Sequence, residues 1–448
     1  MRPRKTETSG ANDLFRSRLD QIIDMRHELV RLAHEIDWAW IDGELAGFFE
    51  PSGRPGVPTR FMVGLLLLKH VYGLSDEAVC ERWVYDPYFQ YFTGEEFFQH
   101  AFPHERSGLT HWRNRIGEKL DALLAESLRV AHATGALKTR GLTKLTVDTT
   151  VQPKNIAFPT DARLMQRAVE MLGRLAKKHG VPLRQSYVRL AKRAALMAGR
   201  YAHAKQFKRH NREIRFLRIR LGRLIRDIRR KINGDRRLKS LFAHPLLRAE
   251  IVRDQRQRQR GWKLYSLHAP EVECIGKGKA HRPYEFGVKV SIATTNARSP
   301  GGQFVVHARA IHGNPYDGHT LAAALEDAEA LTGITAKRVY VDKGYRGHDA
   351  PNPFRIYLSG QRRGVHGVIK RELRRRAAIE PVIGHLKSEG HLGRNFLKGR
   401  HGDRANAVLS AVGHNLRLVL RWLRTLLRQI LAAMFAALAP KSAPNPAS

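Results

Sequence analysis

The spacing of apolar positions changes twice along the chain. From Leu14 to about Ala133 it is helical, and Phe61 to Leu68 is apolar on every side, which predicts a buried helix. Gly73-Leu74-Ser75 interrupts that run, and Ser75 is placed to cap a second helix from Asp76 to Trp83. The pair has the outline of a helix-turn-helix, or of a plain helical hairpin. Of the aromatic residues that follow (Trp83, Tyr85, Tyr88, Phe89, Tyr91, Phe92, Phe97, Phe98), most are expected in the core, with base stacking the minor reading. Thr110 to Arg115 opens a further helix with Arg113 near its start. A cation there opposes the helix dipole, so it is expected to serve something other than stability, phosphate contact being one such role.

After a break at Gly135 to Gly141 the period becomes two. Leu142 to Thr150 predicts a strand with Asp148 near its end. Residues 156–261 return to helical spacing, and Ile214, Leu217, Leu221, Leu224 and Ile228 form an apolar seam of coiled-coil type, suited to a helical hairpin or to dimerisation. Arg215 and Arg226 lie off that seam, and Asn233-Gly234 stops the helix. Strand signals resume at Lys263 to Leu267 and at Tyr284 to Thr294, with a turn at Ser299 to Gly302 and a hairpin partner from Gln303 to Ile311. Cys274 to Lys279 is a glycine-lysine loop without the spacing or the following helix of a nucleotide-binding motif. Tyr316 to Leu331 predicts a helix with Asp317 as a candidate cap.

Val339 to Val341 is a short strand ending on Asp342, followed by the turn Lys343 to Gly347 and a strand from Phe354 to Tyr357. A basic helix from Ile369 to Lys387 carries Arg376 and Glu380, and Pro381 should kink it or begin a new helix. Leu416 to Leu438 is a long helix striped by Arg417, Arg421, Arg424 and Arg428. These elements divide the chain into a tail expected to be disordered (1–12), a helical N-terminal domain (13–138) whose helix pair makes it a candidate for DNA binding, and an α/β domain (139–155 and 262–415). A helical insertion (156–261), a basic C-terminal helix (416–439) and a second tail (440–448) complete it.

Charge narrows the function. The 448 residues carry 79 Lys and Arg against 41 Asp and Glu, a net +38, which points to a polyanion, most commonly nucleic acid. Residues 161–260 hold 30 of the cations against 7 acids, and a merely solvated helix face would mix the signs. Two cysteines, Cys80 and Cys274, exclude a disulfide scaffold and a zinc cluster and suit a reducing cytoplasm. No apolar run reaches the roughly 20 residues a bilayer requires. A soluble, cytoplasmic, nucleoid-associated protein is therefore expected.

Three acids stand out against that background. If Asp148 and Asp342 end neighbouring strands, their carboxylates lie roughly 5 Å apart, and a crossing helix can bring in Glu380. Oxygen-only ligands suit magnesium or manganese, and two such ions can drive phosphodiester hydrolysis or transfer. Each acid also has a plainer reading: a turn cap for Asp342, a strand-end acid for Asp148, and a helical pair with Arg376 for Glu380. Glu285, Asp317, Glu326 and Asp327 rank lower because they are not at strand ends facing the proposed edge.

Val341-Asp342-Lys343-Gly344-Tyr345-Arg346-Gly347 resembles the second-acid motif of bacterial insertion-sequence transposases of the family-five type. Arg376, Glu380 and Lys387 resemble the third-acid signature of that DDE superfamily, and Thr146 to Thr150 its first-acid strand. Leu373 stands where the signature usually has tyrosine. The resemblance spans most of residues 15–425. It implies a ribonuclease-H-like mixed sheet in which Asp148, Asp342 and Glu380 hold two Mg2+ or Mn2+ ions. Arg376 and Lys387 would contact DNA phosphate; on charge and position, Lys343 and Arg346 beside Asp342, Arg113, and Arg215 and Arg226 of the basic insertion are further candidate DNA contacts. It also implies double-stranded DNA partners (terminal inverted repeats and target), a homodimer or higher oligomer on DNA, and neither a nucleotide cofactor nor a membrane. A catalytically inactive DNA-binding derivative is the alternative.

Overall fold

Every element before residue 144 is helical in the computed structural model, which describes residues 17–49, 56–257, 259–276, 283–297 and 299–438. The two tails, and Lys277 to Lys279 of the glycine-lysine loop, lie outside these residues. The chain forms two compact units, one of Met1–Pro153 with Lys289–Ser448 and the other of Lys154–Val288.

In the first unit the Thr59–Tyr72 helix is buried along nearly its whole length. It ends on Gly73 at φ +64°, a left-handed cap that favours glycine. Ser75 caps the next helix, Asp76–Tyr85, by accepting from the Ala78 N–H. Trp83, Phe89, Phe92 and Phe97 are core residues, whereas Tyr85 is exposed. The helix expected to open at Thr110 is Gly108–Arg115, so Arg113 and Arg115 occupy its last turn, where cations favour the dipole.

The C-terminal helix, expected from Leu416, begins at Gly399 and runs 40 residues to Leu438. It packs against Thr59–Tyr72, Leu120–Ala133 and a sheet strand. Its first half carries Asp403, Asn406, Ser410, His414 and Asn415, which look like a surface pattern yet are buried. The cost is met by hydrogen bonds. Asn415 accepts from the Val305 N–H and donates to its carbonyl, and Asn406 donates to Gln152.

The sheet consists of β1 (Lys144–Pro153), β2 (Glu273–Gly276), β3 (Tyr284–Thr295), β4 (Val305–Ile311), β5 (Arg338–Val341) and β6 (Ile356–Leu358). The first unit places β3, β1, β5 and β6 side by side, with β4 on β3. β4 pairs antiparallel with β3, while β1, β5 and β6 are mutually parallel neighbours. The result is a mixed α/β architecture. β1 outlasts the expected strand, so Asp148 lies in mid-strand rather than near its end. β6 is preceded by a 3-10 turn, Pro353–Arg355, and starts two residues later than expected.

The basic helix is not continuous. Gly367–Arg374 gives way to a 3-10 turn, Arg375–Ala378, and then to Ile379–Ser388. Pro381 is the third residue of the last helix, where no intrahelical bond needs its missing N–H, so the new helix starts just before it.

In the second unit the helices Asp161–Lys178, Val188–His203, Phe207–Lys231 and Arg236–Asp254 enclose one apolar core. Leu217, Leu221, Leu224 and Ile228 are fully buried in it, with Ile214 partly buried beside them, so the seam is filled from within the unit. Lys263 to Leu267 is not a strand. The Gln255 amide both donates to the Leu264 carbonyl and accepts from its N–H, which satisfies that backbone without a sheet neighbour. The strand is instead β2, which takes in Cys274 to Gly276 and pairs antiparallel with Tyr284 to Gly287.

Candidate active site

Parallel pairing aligns Lys144, Leu145 and Thr146 of β1 with Arg338, Val339 and Tyr340 of β5. The same register carried two residues further sets Asp148 beside Asp342, the residue that follows β5. Glu380 arrives on the first turn of Ile379–Ser388. Arg376, on the preceding 3-10 turn, stands among all three acids. Its guanidinium lies 3.7 Å from Asp148 Oδ2, 3.9 Å from Asp342 Oδ1 and 3.7 Å from Glu380 Oε1. Arg376 is largely buried, and the acids grade outward from Asp148 through Asp342 to Glu380 at side-chain exposures of 22%, 51% and 66%.

Burial pushes the Asp148 carboxyl up to about 6. The Thr149 N–H, at 2.8 Å, and Arg376 pull against that shift, while Asp342 and Asp317 add to it. Asp317 therefore belongs near this cluster, contrary to its low ranking and to its reading as a helix cap. Its carboxylate accepts from Thr149 Oγ1 at 3.0 Å and from Lys289 Nζ at 2.8 Å. Tyr345 is buried beside the same acids, and burial first, then those charges, holds its phenol neutral.

Glu372 is a second residue that spacing alone did not single out. It is buried one turn before Arg376, and its carboxylate accepts from Lys144, from Tyr340 and twice from Arg338, at 2.7 and 3.1 Å. Asn296 joins the same knot, donating to Thr146 Oγ1 and to the Glu372 carbonyl. The Gly367–Arg374 helix is thus tied to β1 and β5 immediately before the chain delivers Arg376 and Glu380. Burial raises the Glu372 pKa, but the bonds from Arg338, Lys144 and Tyr340 prevail and hold it below the usual range. A lone glutamate amid arginines gave no sign of this; the alternating β1 and β5 cations, Lys144 and Arg338, were the available clue.

The remaining candidates fall into three places. Lys343 and Arg346 are exposed on the turn directly after Asp342, and Lys387 is half-buried two turns beyond Glu380 on the same helix. Arg113 is turned inward: it is 3% exposed and gives both Asp76 oxygens a bond, at 3.1 and 2.8 Å, while Lys69 meets Asp76 at 2.6 Å. Arg215 and Arg226 are exposed on Phe207–Lys231 in the other unit.

Carboxylate oxygens are the donor type that hard divalent cations take. As the side chains stand, the described residues include no group of three or more His, Cys, Asp or Glu gathered tightly enough to hold a metal ion. A guanidinium occupies the centre of the three acids, so cation binding there requires Arg376 to give way.

Residues 17–115 match the family described as "Transposase domain (DUF772)". A curated relative from Rhizobium meliloti, described as "Uncharacterized protein ORF8 in nfe locus", is 58% identical over 208 residues, covering 46% of this chain and 100% of the relative. No solved structure matches the chain. Among the described residues, no helix is long and apolar enough to cross a membrane.

Proposed function

Because this chain belongs to a family of bacterial insertion-sequence transposases, we propose that it is a DDE enzyme of the family-five type. In this reading it binds the ends of its element, hydrolyses a phosphodiester there and joins the freed 3′-hydroxyl to target DNA. The observation that carries this reading is the meeting of Asp148, Asp342 and Glu380 around Arg376. A sheet in which antiparallel β3 and β4 flank parallel β1, β5 and β6 supports a ribonuclease-H-like domain.

Asp148, Asp342 and Glu380 would hold the Mg2+ or Mn2+ ions, which when bound supply charge neutralisation and an activated water or 3′-hydroxyl. The protein does the rest. Arg376 neutralises the three acids until DNA offers it a phosphate, an exchange between anions that a delocalised, always-charged guanidinium suits. Lys343 and Arg346, on the turn after Asp342, hold backbone phosphates beside the acids, and Lys387 does so two turns along from Glu380. Glu372 keeps the Arg376 and Glu380 segment in register with β1 and β5. Arg215 and Arg226 grip the duplex non-specifically. Arg113 has no part in DNA contact, because Asp76 engages it. The active form is a dimer or larger assembly on two element ends, and it acts in the bacterial cytoplasm.

The test uses a plasmid carrying the element ends and a second plasmid as target. Joined products with Mg2+, linked through 3′-hydroxyl ends and absent with Glu380→Gln, are expected. Tight binding to element ends with no cleavage under any divalent cation would favour the inactive derivative.

A further inference from the structure

The Lys154–Val288 unit contains a cleft of about 510 Å3 that the catalytic reading does not use. That size falls within the roughly 300–1,000 Å3 of pockets that take small ligands. Its rim is cationic. Arg163, Arg167 and Arg174 project from one face of Asp161–Lys178, at steps of four and seven residues, and Arg248 faces them from Arg236–Asp254. No acidic side chain lines it among the described residues. Its floor is apolar, built from Leu164, Met171, Leu267 and the Tyr265 ring.

Each rim guanidinium is steadied by one neighbour. Arg163 donates to the Phe158 carbonyl at 3.4 Å, Arg167 to Glu170 at 3.0 Å, Arg174 to the Glu170 carbonyl at 3.4 Å and Arg248 to the Leu267 carbonyl at 2.9 Å. A guanidinium has five N–H donors, so these bonds orient the groups without exhausting them. Burial pushes the Tyr265 phenol up to about 12, with the Cys274 thiol adding to the shift, so it stays neutral toward an anion.

A ring of arginines over an apolar floor suits a ligand that is anionic at one end and flat and apolar at the other. Inorganic phosphate would leave the floor uncovered, and so would a paired duplex that meets the rim through its phosphates alone. We propose that this cleft receives an unpaired nucleotide of the DNA strand, its base on the Leu164, Met171 and Tyr265 floor and its flanking phosphates on Arg163, Arg167, Arg174 and Arg248. This rests on the reading of the protein as a DNA-processing enzyme. It assigns the basic unit a selective role beyond general phosphate attraction.

Three short duplexes of one sequence test the assignment with the full-length chain: fully paired, with a single-base bulge, and with the same bulge made abasic. A bulge presents a base without the cost of unpairing it. The bulged duplex should bind about tenfold more tightly than the other two, the gain expected from stacking one base. Ala157 is an exposed lining residue, so Ala157→Trp fills the cleft without disturbing the core. It should erase the tenfold preference and leave paired-duplex affinity unchanged, and Arg174→Gln should reduce the preference in the same way. An abasic bulge that binds as well as the base bulge would overturn the assignment, as would a preference that survives both substitutions. Failure to bind any of the three duplexes would instead remove the DNA-processing reading, and this inference with it.

Discussion

Asp148 is the most deeply buried of the three acids. Its pKa is raised to about 6 chiefly by burial, so between about pH 4 and pH 6 the folded chain holds a proton that the unfolded chain releases. The sign follows from that difference: stability falls as pH rises through this window, and the full cost is present above it. In metal-free buffer, Asp148→Asn should match the natural protein near pH 4 and exceed its stability at pH 7 by at most about 3 kcal/mol. Urea midpoints at the two pH values check this, and a variant less stable at pH 7 would show that Asp148 is held by its partners rather than penalised by burial. Arg376 explains why the penalty is tolerated, since it balances Asp148 while also serving Asp342 and Glu380.

Among elements, the 40-residue Gly399–Leu438 helix meets the buried Thr59–Tyr72 helix at Gly413. A Cβ on Gly413 would lie 2.5 Å from the His70 carbonyl oxygen, and that oxygen belongs to the buried Thr59–Tyr72 helix and cannot swing aside. Gly413→Ala should therefore destabilise the protein by about 1–3 kcal/mol through overpacking, measurable as a lowered thermal midpoint. An unchanged midpoint would mean the two helices separate freely. Local pattern revealed the buried helix at Phe61, the Ser75 cap, the β3–β4 hairpin and the strand before Asp342, because each is written in contiguous residues. It failed where long-range partners decide. The start of the last helix was hidden because its polar residues are satisfied by Val305 and Gln152, far off in sequence. Lys263 to Leu267 reads as a strand because it carries β-forming residues, yet a glutamine side chain supplies the pairing. The same division holds at the site. Asp342 and Glu380 stand out by local position and Arg376 through the resemblance, but Asp148 lies in mid-strand rather than near the expected end, and Asp317 and Glu372 connect to the cluster only through residues distant in sequence.

The molecule as a whole carries net +38, and its cations do different jobs according to burial. Arg113 is tied to Asp76 inside the helical region, while Arg215 and Arg226 stand in solvent within the stretch that holds 30 of the 79 basic residues. Arg113→Ala should cost about 3 kcal/mol of stability and leave the salt dependence of DNA binding unchanged. The double substitution of Arg215 and Arg226 to Ala should leave stability nearly unchanged and flatten the slope of log affinity against log salt by about 2. Reversal of these outcomes would mean that charge near the N-terminus, rather than the basic helical unit, grips DNA. If Asp148, Asp342 and Glu380 form a catalytic metal site, nicking of supercoiled plasmid reports it, comparing the natural chain with Asp342→Asn in Mg2+, in Mn2+ and with both withheld. Nicking by such a site should require the metal, leave 3′-hydroxyl ends and disappear in Asp342→Asn. Equal nicking by the two proteins, or nicking that persists without divalent metal, would contradict it.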